Sequence, residues 1–164
     1  MLVLAYPPPT EFDTEIKYLC IELHDDYKSN MFIHLAPGIE FIQEALSQHQ
    51  VASKANLNAS KKGGVLIASN KGECRGPAFA CAYLMYVKRM TLPNAIAFVK
   101  LKRRQANPNA SYMRQLESLE NTLKVGKELG TATTSEVVKY MQHERNHRKP
   151  YTVFRGLKPS QSIV

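Results

Sequence analysis

Residues 63–79 read GGVLIASNKGECRGPAF, and the architecture of the chain can be inferred outward from them. The apolar run at residues 65–67 predicts a short buried strand, and the apolar run from residue 77 onward predicts a helix. The polar residues between them predict a tight loop. Because the amides of such a loop and the helix N-terminus point at one spot, this arrangement is suited to binding an anion. Arg75 lies at the start of the predicted helix, where its guanidinium can contact a phosphate.

The remaining apolar patterns predict strands that alternate with helices. Three strands are expected, at residues 1–6, 16–23 and 65–67. Five helices are expected, at residues 32–46, 77–90, 92–104, 110–124 and 135–147. This alternation favours an α/β sandwich with residues 65–67 as its most buried strand. Ligands of such folds bind at the carboxyl end of a central strand, which here corresponds to residues 68–76.

Proline, glycine and polar residues predict where the regular elements end. Pro37 and Gly38 are expected to kink the first helix or to mark its true start,. The polar stretch at residues 47–62 is interpreted as a surface loop. Residues 1–125 are assigned to one domain, and residues 126–164 to a basic helix followed by a mobile tail.

Composition limits the class of protein. A chain of 164 residues with 44% hydrophobic and 22% charged residues is typical of a single soluble domain,. No apolar run approaches the roughly 20 residues that a membrane span needs, and the N-terminus lacks the basic start of a signal peptide. We therefore expect no membrane partner.

The cysteines and histidines predict neither disulfides nor a metal. Cys20 and Cys81 lie in apolar runs and are interpreted as core thiols, which suits the cytoplasm or the nucleus,. His143 and His147 stand four residues apart, but they lack further ligands and are interpreted as part of a solvated face. We expect no metal and no cofactor.

The net charge is +8, with basic clusters at residues 100–104 and 145–149. Such clusters can bind nucleic acid or an acidic partner. No aromatic residues interleave with these charges to stack bases, so we favour an acidic protein partner or a plain solvated face over nucleic acid.

Residues 65–120 resemble the catalytic half of the dual-specificity phosphatases of the protein tyrosine phosphatase superfamily. That family has a buried strand, then His-Cys, five residues, Arg and a buried helix. Here the corresponding segments are VLIASNKGECRGP, AYLMYVKRMTLPNAIAFVKLKRR and NPNASYMRQLESLE, and IKYLCIELHDD resembles the strand and loop that carry the general acid. The resemblance implies a dual-specificity-phosphatase-like central sheet with flanking helices. It also implies a shortened N-terminus, because family domains have more residues before the first strand.

The resemblance also implies a set of site residues. The phosphate-binding loop would be Ser69, Asn70, Lys71, Gly72, Glu73, Cys74 and Arg75. Asp25 corresponds to the general acid, and Asp26 is the alternative candidate for that position. A further interpretation is that both aspartates belong to a polar loop that caps the following helix. Asn107 corresponds to an asparagine whose side chain braces the phosphate loop. Cys74 is either a reactive thiol or, as we favour, a buried filler.

Three parts of the family's mechanism are missing together. Ala68 and Ser69 stand at the His-Cys position, and Gly76 replaces the hydroxyl residue that follows the arginine. A serine hydroxyl is not ionised by a helix N-terminus and cations as a thiol is. The hypothesis we favour is a pseudophosphatase that binds a phosphorylated or signalling protein without hydrolysis. One alternative is an interaction scaffold that uses its basic helices and has a silent pocket, in which Arg75 pairs with Glu73 or another acid. The other alternative is a residual phosphatase.

Overall fold

A computed structural model describes residues 1–4, 16–55, 64–128 and 151–155 of the chain. The strands are β1 (Leu2–Leu4), β2 (Lys17–Ile21), β3 (Ile67–Ser69) and β4 (Tyr151–Arg155). The helices are α1 (Phe32–Ala55), α2 (Arg75–Lys88), α3 (Leu92–Lys102) and α4 (Ala110–Glu128). This order confirms the predicted α/β class. The helix predicted at residues 135–147 lies outside the described residues.

The described strands form one sheet in the order β3-β1-β2-β4. β1 is parallel to both β2 and β3, and β4 is antiparallel to β2. Leu2 and Leu4 are fully buried in the main core together with Phe79 of α2. On the opposite face of β1, Val3 packs in a small second cluster with Tyr18 and Cys20. The sheet therefore buries apolar side chains on both faces, as parallel sheets do.

β3 is not the most buried strand, so that prediction was wrong. Among the described strands it lies at the edge of the sheet, all three of its residues are only partly buried, and Leu66 just before it is 63% exposed. β1 and β2 take the inner places, because each of them bonds to a strand on both sides. A strand of sequence IAS also has little apolar surface to bury. Ser69 ends β3, so the loop still begins at a strand's carboxyl end.

α1 extends farther than the sequence indicated. The loop predicted at residues 47–62 was wrong for residues 47–55, which continue the helix, and residues 56–63 lie outside the described part. The sequence QHQVASKA is rich in good helix formers, which prolong a helix even without an apolar stripe. Pro37 lies inside the helix and removes one backbone hydrogen bond near its start,.

A strand within the predicted tail was missed. Tyr151–Arg155 forms β4 and pairs with Lys17–Ile21 of β2 over five residues. These five residues thus form a regular element where the sequence predicted none. Their sequence, YTVFR, consists largely of β-branched and aromatic residues, which favour strands. The domain boundary at residue 125 stays a prediction.

His34 is a buried titratable group of α1. Its side chain is only 3% exposed, and its Nδ1 has no hydrogen-bond partner among the described residues. Burial lowers the pKa of His34 from 6.5 to about 4, because the charged imidazolium is poorly solvated inside the protein,.

This pKa shift predicts a pH-dependent stability. His34 binds a proton more weakly in the folded than in the unfolded chain, so stability is complete above pH 6.5 and falls as the pH drops toward 4,. The total loss expected from His34 is about 3 kcal/mol. Urea unfolding between pH 7.5 and 4.5 should show a shallower pH dependence for His34→Gln than for the wild type. The exposed His24 is the control, and an equal flattening by His24→Gln would contradict the assignment to His34.

Candidate functional site

The loop of residues 70–74 connects β3 to α2 and is held from outside through its carbonyl groups. Gly72 has a φ of 66°, a left-handed conformation that glycine adopts without strain,. Arg103, just after α3, donates from Nε to the Gly72 carbonyl at 2.7 Å and from Nη2 to the Lys71 carbonyl at 2.8 Å. The backbone N–H of Asn107 donates to the Glu73 carbonyl at 2.6 Å. Three successive loop carbonyls thus point away from the loop's interior.

This arrangement leaves the amide N–H groups of the loop available to bind a ligand. In a planar trans peptide the N–H points opposite to the preceding carbonyl, so the N–H groups of Gly72, Glu73 and Cys74 face away from the groups that bind those carbonyls. No amide N–H of residues 70–75 donates a hydrogen bond to any residue that the structure describes. Consecutive unpaired amides next to a helix N-terminus form a concavity suited to an anion.

Ser69 lies at the base of this loop. Its Oγ accepts a hydrogen bond of 3.2 Å from the backbone N–H of Gly76 in the first turn of α2. A Cβ atom at Gly76 would stand only 3.2 Å from that oxygen, so the glycine permits the close approach. The side chain at position 69 is therefore directed at the N-terminus of α2.

Arg75 is held by the loop that follows β2. The side chain is 6% exposed, and its Nη1 donates to the Leu23 carbonyl at 2.8 Å. Its Nε stands 3.7 Å from Oδ2 of Asp25 and makes no hydrogen bond within the described part of the chain. Glu73 is exposed and forms no ion pair with a described residue. Of the two pairings considered for Arg75, the structure thus places Asp25, not Glu73, beside the guanidinium.

The two neighbouring aspartates have different surroundings. Asp26 accepts hydrogen bonds from the backbone N–H groups of Lys28 and Ser29 and from the Ser29 hydroxyl. These bonds lower the pKa of Asp26, and the bond from the Ser29 hydroxyl has the largest effect,. They also hold the turn at residues 26–29. Asp25 instead faces Arg75, and its Oδ1 accepts a hydrogen bond of 3.2 Å from Nδ2 of Asn109. Only Asp25 is brought to the candidate site.

The residue whose side chain braces the site is Asn109. Besides its bond to Asp25, its backbone N–H donates to Sγ of Cys74 at 3.3 Å, and its Oδ1 accepts from the Tyr112 amide in α4. Asn107 was expected to brace the loop by its side chain, and its hydrogen bond to the described loop residues comes from its backbone N–H. The Tyr112 hydroxyl donates to the His24 carbonyl. An asparagine just before an apolar helical pattern is a capping signal, which could have drawn attention to Asn109.

Cys74 is a protonated thiol at neutral pH. Burial, followed by its contact with Asp25, raises the pKa of Cys74 to about 11,. A raised pKa disfavours the reactive thiolate and argues against that alternative. The side chain is only partly buried, so the expected buried filler is exposed in part. Cys20 and Cys81 are unpaired and buried, which confirms their prediction as core thiols.

Two further absences hold for the described residues. None of their helices combines the length and the apolar character required to cross a bilayer. No three of their His, Cys, Asp or Glu side chains come together in a way that could hold a metal ion. His143 and His147 lie outside the described residues.

The comparisons with known proteins identify the family. Residues 5–122 match the model of the dual specificity phosphatase catalytic domain, and the chain therefore belongs to the dual-specificity phosphatase family. It is 32% identical over 111 residues to dual specificity protein phosphatase Mpk3 of Drosophila melanogaster, covering 68% of this chain and 24% of that protein. It is 34% identical over 113 residues to human dual specificity protein phosphatase 26, covering 69% and 47%. The chain thus spans less than half of the length of these two relatives.

Solved structures share this fold. Human DUSP28 superposes with a TM-score of 0.63 over 75% of this chain and 74% of that chain, and at 24% sequence identity this likeness concerns the fold alone. The human tyrosine phosphatase-like serine/threonine/tyrosine-interacting protein superposes with a TM-score of 0.60 at 26% identity, over 74% and 76%. These likenesses confirm the predicted phosphatase-like sheet with flanking helices.

Proposed function

We propose that this chain binds a phosphorylated side chain of a signalling protein through residues 69–75 and does not hydrolyse it. The observation that carries the proposal is the set of amides at residues 70–75, which donate to no residue that the structure describes and stand beside the N-terminus of α2. Such a site supplies several N–H donors and the positive end of a helix dipole to one anion. One structural relative is itself named an interacting protein, which supports a binding role.

The side chains around Ser69 argue against hydrolysis. A serine needs a base that accepts its proton before it can attack phosphorus. The hydrogen bond that Ser69 Oγ makes with a described residue comes from the Gly76 amide, which is a donor and cannot accept that proton. Cys74 offers no substitute nucleophile, because its pKa is raised to about 11.

Asp25 sets the strength of anion binding in this proposal. Its carboxylate stands 3.7 Å from Nε of Arg75 and is 44% exposed, so a bound phosphate competes with it for the guanidinium. The Leu23 carbonyl holds the other side of the same guanidinium. Nη1 of Arg75 is therefore engaged, whereas Nε makes no hydrogen bond with a described residue and can donate to a phosphate that displaces Asp25.

Titration with tungstate and with inorganic phosphate tests the proposal. Binding is followed by the rise in melting temperature and by calorimetry. Asp25→Asn is expected to tighten tungstate binding about fivefold, because it removes the competing charge. Arg75→Lys should weaken binding about tenfold or more, because lysine keeps the charge but loses the planar fork of donors. Glu73→Gln, which removes an exposed carboxylate from the same loop, is the matched control and should change the affinity less than twofold.

Two results would contradict phosphate binding at this loop. One is the absence of saturable tungstate binding by a protein whose circular dichroism shows it to be folded. The other is an affinity that neither Asp25→Asn nor Arg75→Lys changes. If tungstate binds as expected, phosphotyrosine and phosphoserine peptides follow as ligands. The unpaired thiols of Cys20 and Cys81 support a cytoplasmic or nuclear setting for such a partner,.

A further inference from the structure

α3 exposes two large apolar side chains on one side. Phe98 is 46% exposed and Leu101 is 78% exposed. Residues three and four positions apart lie on the same side of a helix, so both belong to one surface. We call it the α3 face, and it consists of the exposed residues Asn94, Ala97, Phe98, Leu101 and Lys102.

Positive charge lies at the C-terminal end of this face. Residues 74–116 contain no aspartate or glutamate, but they contain eight lysines and arginines. Three of these cations, Lys100, Lys102 and Arg104, are exposed at the C-terminal end of α3. None of the three forms an ion pair with a residue that the structure describes. The apolar pair is therefore bordered by cations that have no partner within the described part of the chain.

We propose that the α3 face docks an acidic segment of a partner protein. Apolar side chains of that segment cover Phe98 and Leu101, and its carboxylates pair with Lys102 and Arg104. Charge complementarity selects this occupant, because the face presents cations without a single acidic residue in its own segment of the chain. Single-stranded nucleic acid fits less well, since it needs several aromatic platforms and the face offers one ring beside an aliphatic side chain.

The α3 face adjoins the phosphate loop without depending on it. Arg103 follows α3 directly and uses its guanidinium to bind the carbonyls of Lys71 and Gly72. It therefore belongs to the loop's support and not to the docking cations. The docking surface uses neither Ser69 nor Arg75. The docking proposal can therefore be tested independently of phosphate binding.

A labelled peptide tests the docking surface on the full chain. The probe is a fluorescein-labelled peptide of about 12 residues, made of glutamate and aspartate with a leucine and a phenylalanine four positions apart. Its control replaces the two apolar residues by serine. By fluorescence anisotropy we expect the apolar acidic peptide to bind at least about tenfold more tightly than its serine control. Binding should weaken as salt is raised from about 50 to 200 mM, because exposed charges are screened.

Variants of the chain separate a specific surface from general positive charge. Phe98→Ser with Leu101→Ser should weaken peptide binding about tenfold, as should Lys102→Glu with Arg104→Glu. The matched control is Lys88→Glu with Arg114→Glu, which makes the same change of net charge at exposed positions off the α3 face. This control should stay within about twofold of the wild type once the salt reaches about 200 mM. All of these side chains are exposed, and circular dichroism verifies the fold.

Four outcomes would overturn the docking proposal. The first is that the peptide shows no saturable binding. The second is that the serine control peptide binds as tightly. The third is that the off-face variant loses as much affinity as the α3 variants. The fourth is that an oligouridine of the same length binds the α3 face more tightly than the peptide does, which would make the surface a nucleic-acid site.

Discussion

Ser69→Cys is expected to turn this chain into a measurable phosphatase, with a turnover of p-nitrophenyl phosphate at least about 100-fold above the wild type. A thiol at position 69 would take the place of an Oγ that now accepts the Gly76 amide at the N-terminus of α2. That position, next to the unpaired loop amides, lowers the pKa of a thiol and favours the thiolate. The same surroundings do not ionise the wild-type serine hydroxyl, which therefore remains a weak nucleophile.

The controls for this gain use the same background. Arg75→Lys added to Ser69→Cys should remove most of the new turnover, because the planar guanidinium no longer holds the phosphate. Ser69→Ala should stay at the wild-type background. A folded Ser69→Cys protein without turnover would show that a thiol at position 69 is not sufficient while Ala68 and Gly76 remain and Asp25 faces Arg75. Such a result together with saturable tungstate binding would leave the binding role intact and refute only the restored chemistry.

Gly38→Ala is expected to lower the free energy of unfolding by about 2 kcal/mol. A Cβ atom at Gly38 in α1 would stand 2.3 Å from Cζ and 2.9 Å from Cε1 of Phe79. Phe79 is fully buried in α2, so its ring cannot move without displacing the core. Helix propensity acts in the opposite direction, since alanine is better than glycine inside a helix by about 1 kcal/mol. The clash is expected to outweigh this gain.

Urea unfolding of Gly38→Ala and Gly64→Ala measures the difference. Gly64 is the matched control, because a Cβ atom at this residue would have no atom of a described residue within 4 Å. Gly64→Ala should be neutral or stabilise by up to about 0.5 kcal/mol, through the lower entropy of the unfolded chain. A stabilised Gly38→Ala protein would show that propensity governs this position, and it would place α1 farther from Phe79 than the structure does.

Local patterns were enough to predict most of the architecture. The strand, loop and helix around residues 65–90, the helices that became α3 and α4, and the family itself were all predicted from runs of apolar residues and from the spacing between Ser69 and Arg75. These features depend on residues close in sequence, where hydrogen bonding and apolar periodicity leave a visible pattern. The helical end of α1 and strand β4 were not predicted. Residues 47–55 lack a continuous apolar stripe, and β4 is paired with β2, which is distant in sequence.

The amino-acid sequence by itself determined the class of fold, the position of the candidate anion loop and the absence of a cysteine at residue 69. Only the tertiary structure decided what that loop contacts. The Leu23 carbonyl lies 52 residues from Arg75 in the chain, and Asp25 lies 84 residues from Asn109. The inner places of β1 and β2, the exposed pair on α3 and the close approach of Gly38 to Phe79 likewise depend on which elements pack together. Packing between distant segments follows from the whole core and leaves no local pattern from which these contacts could be predicted.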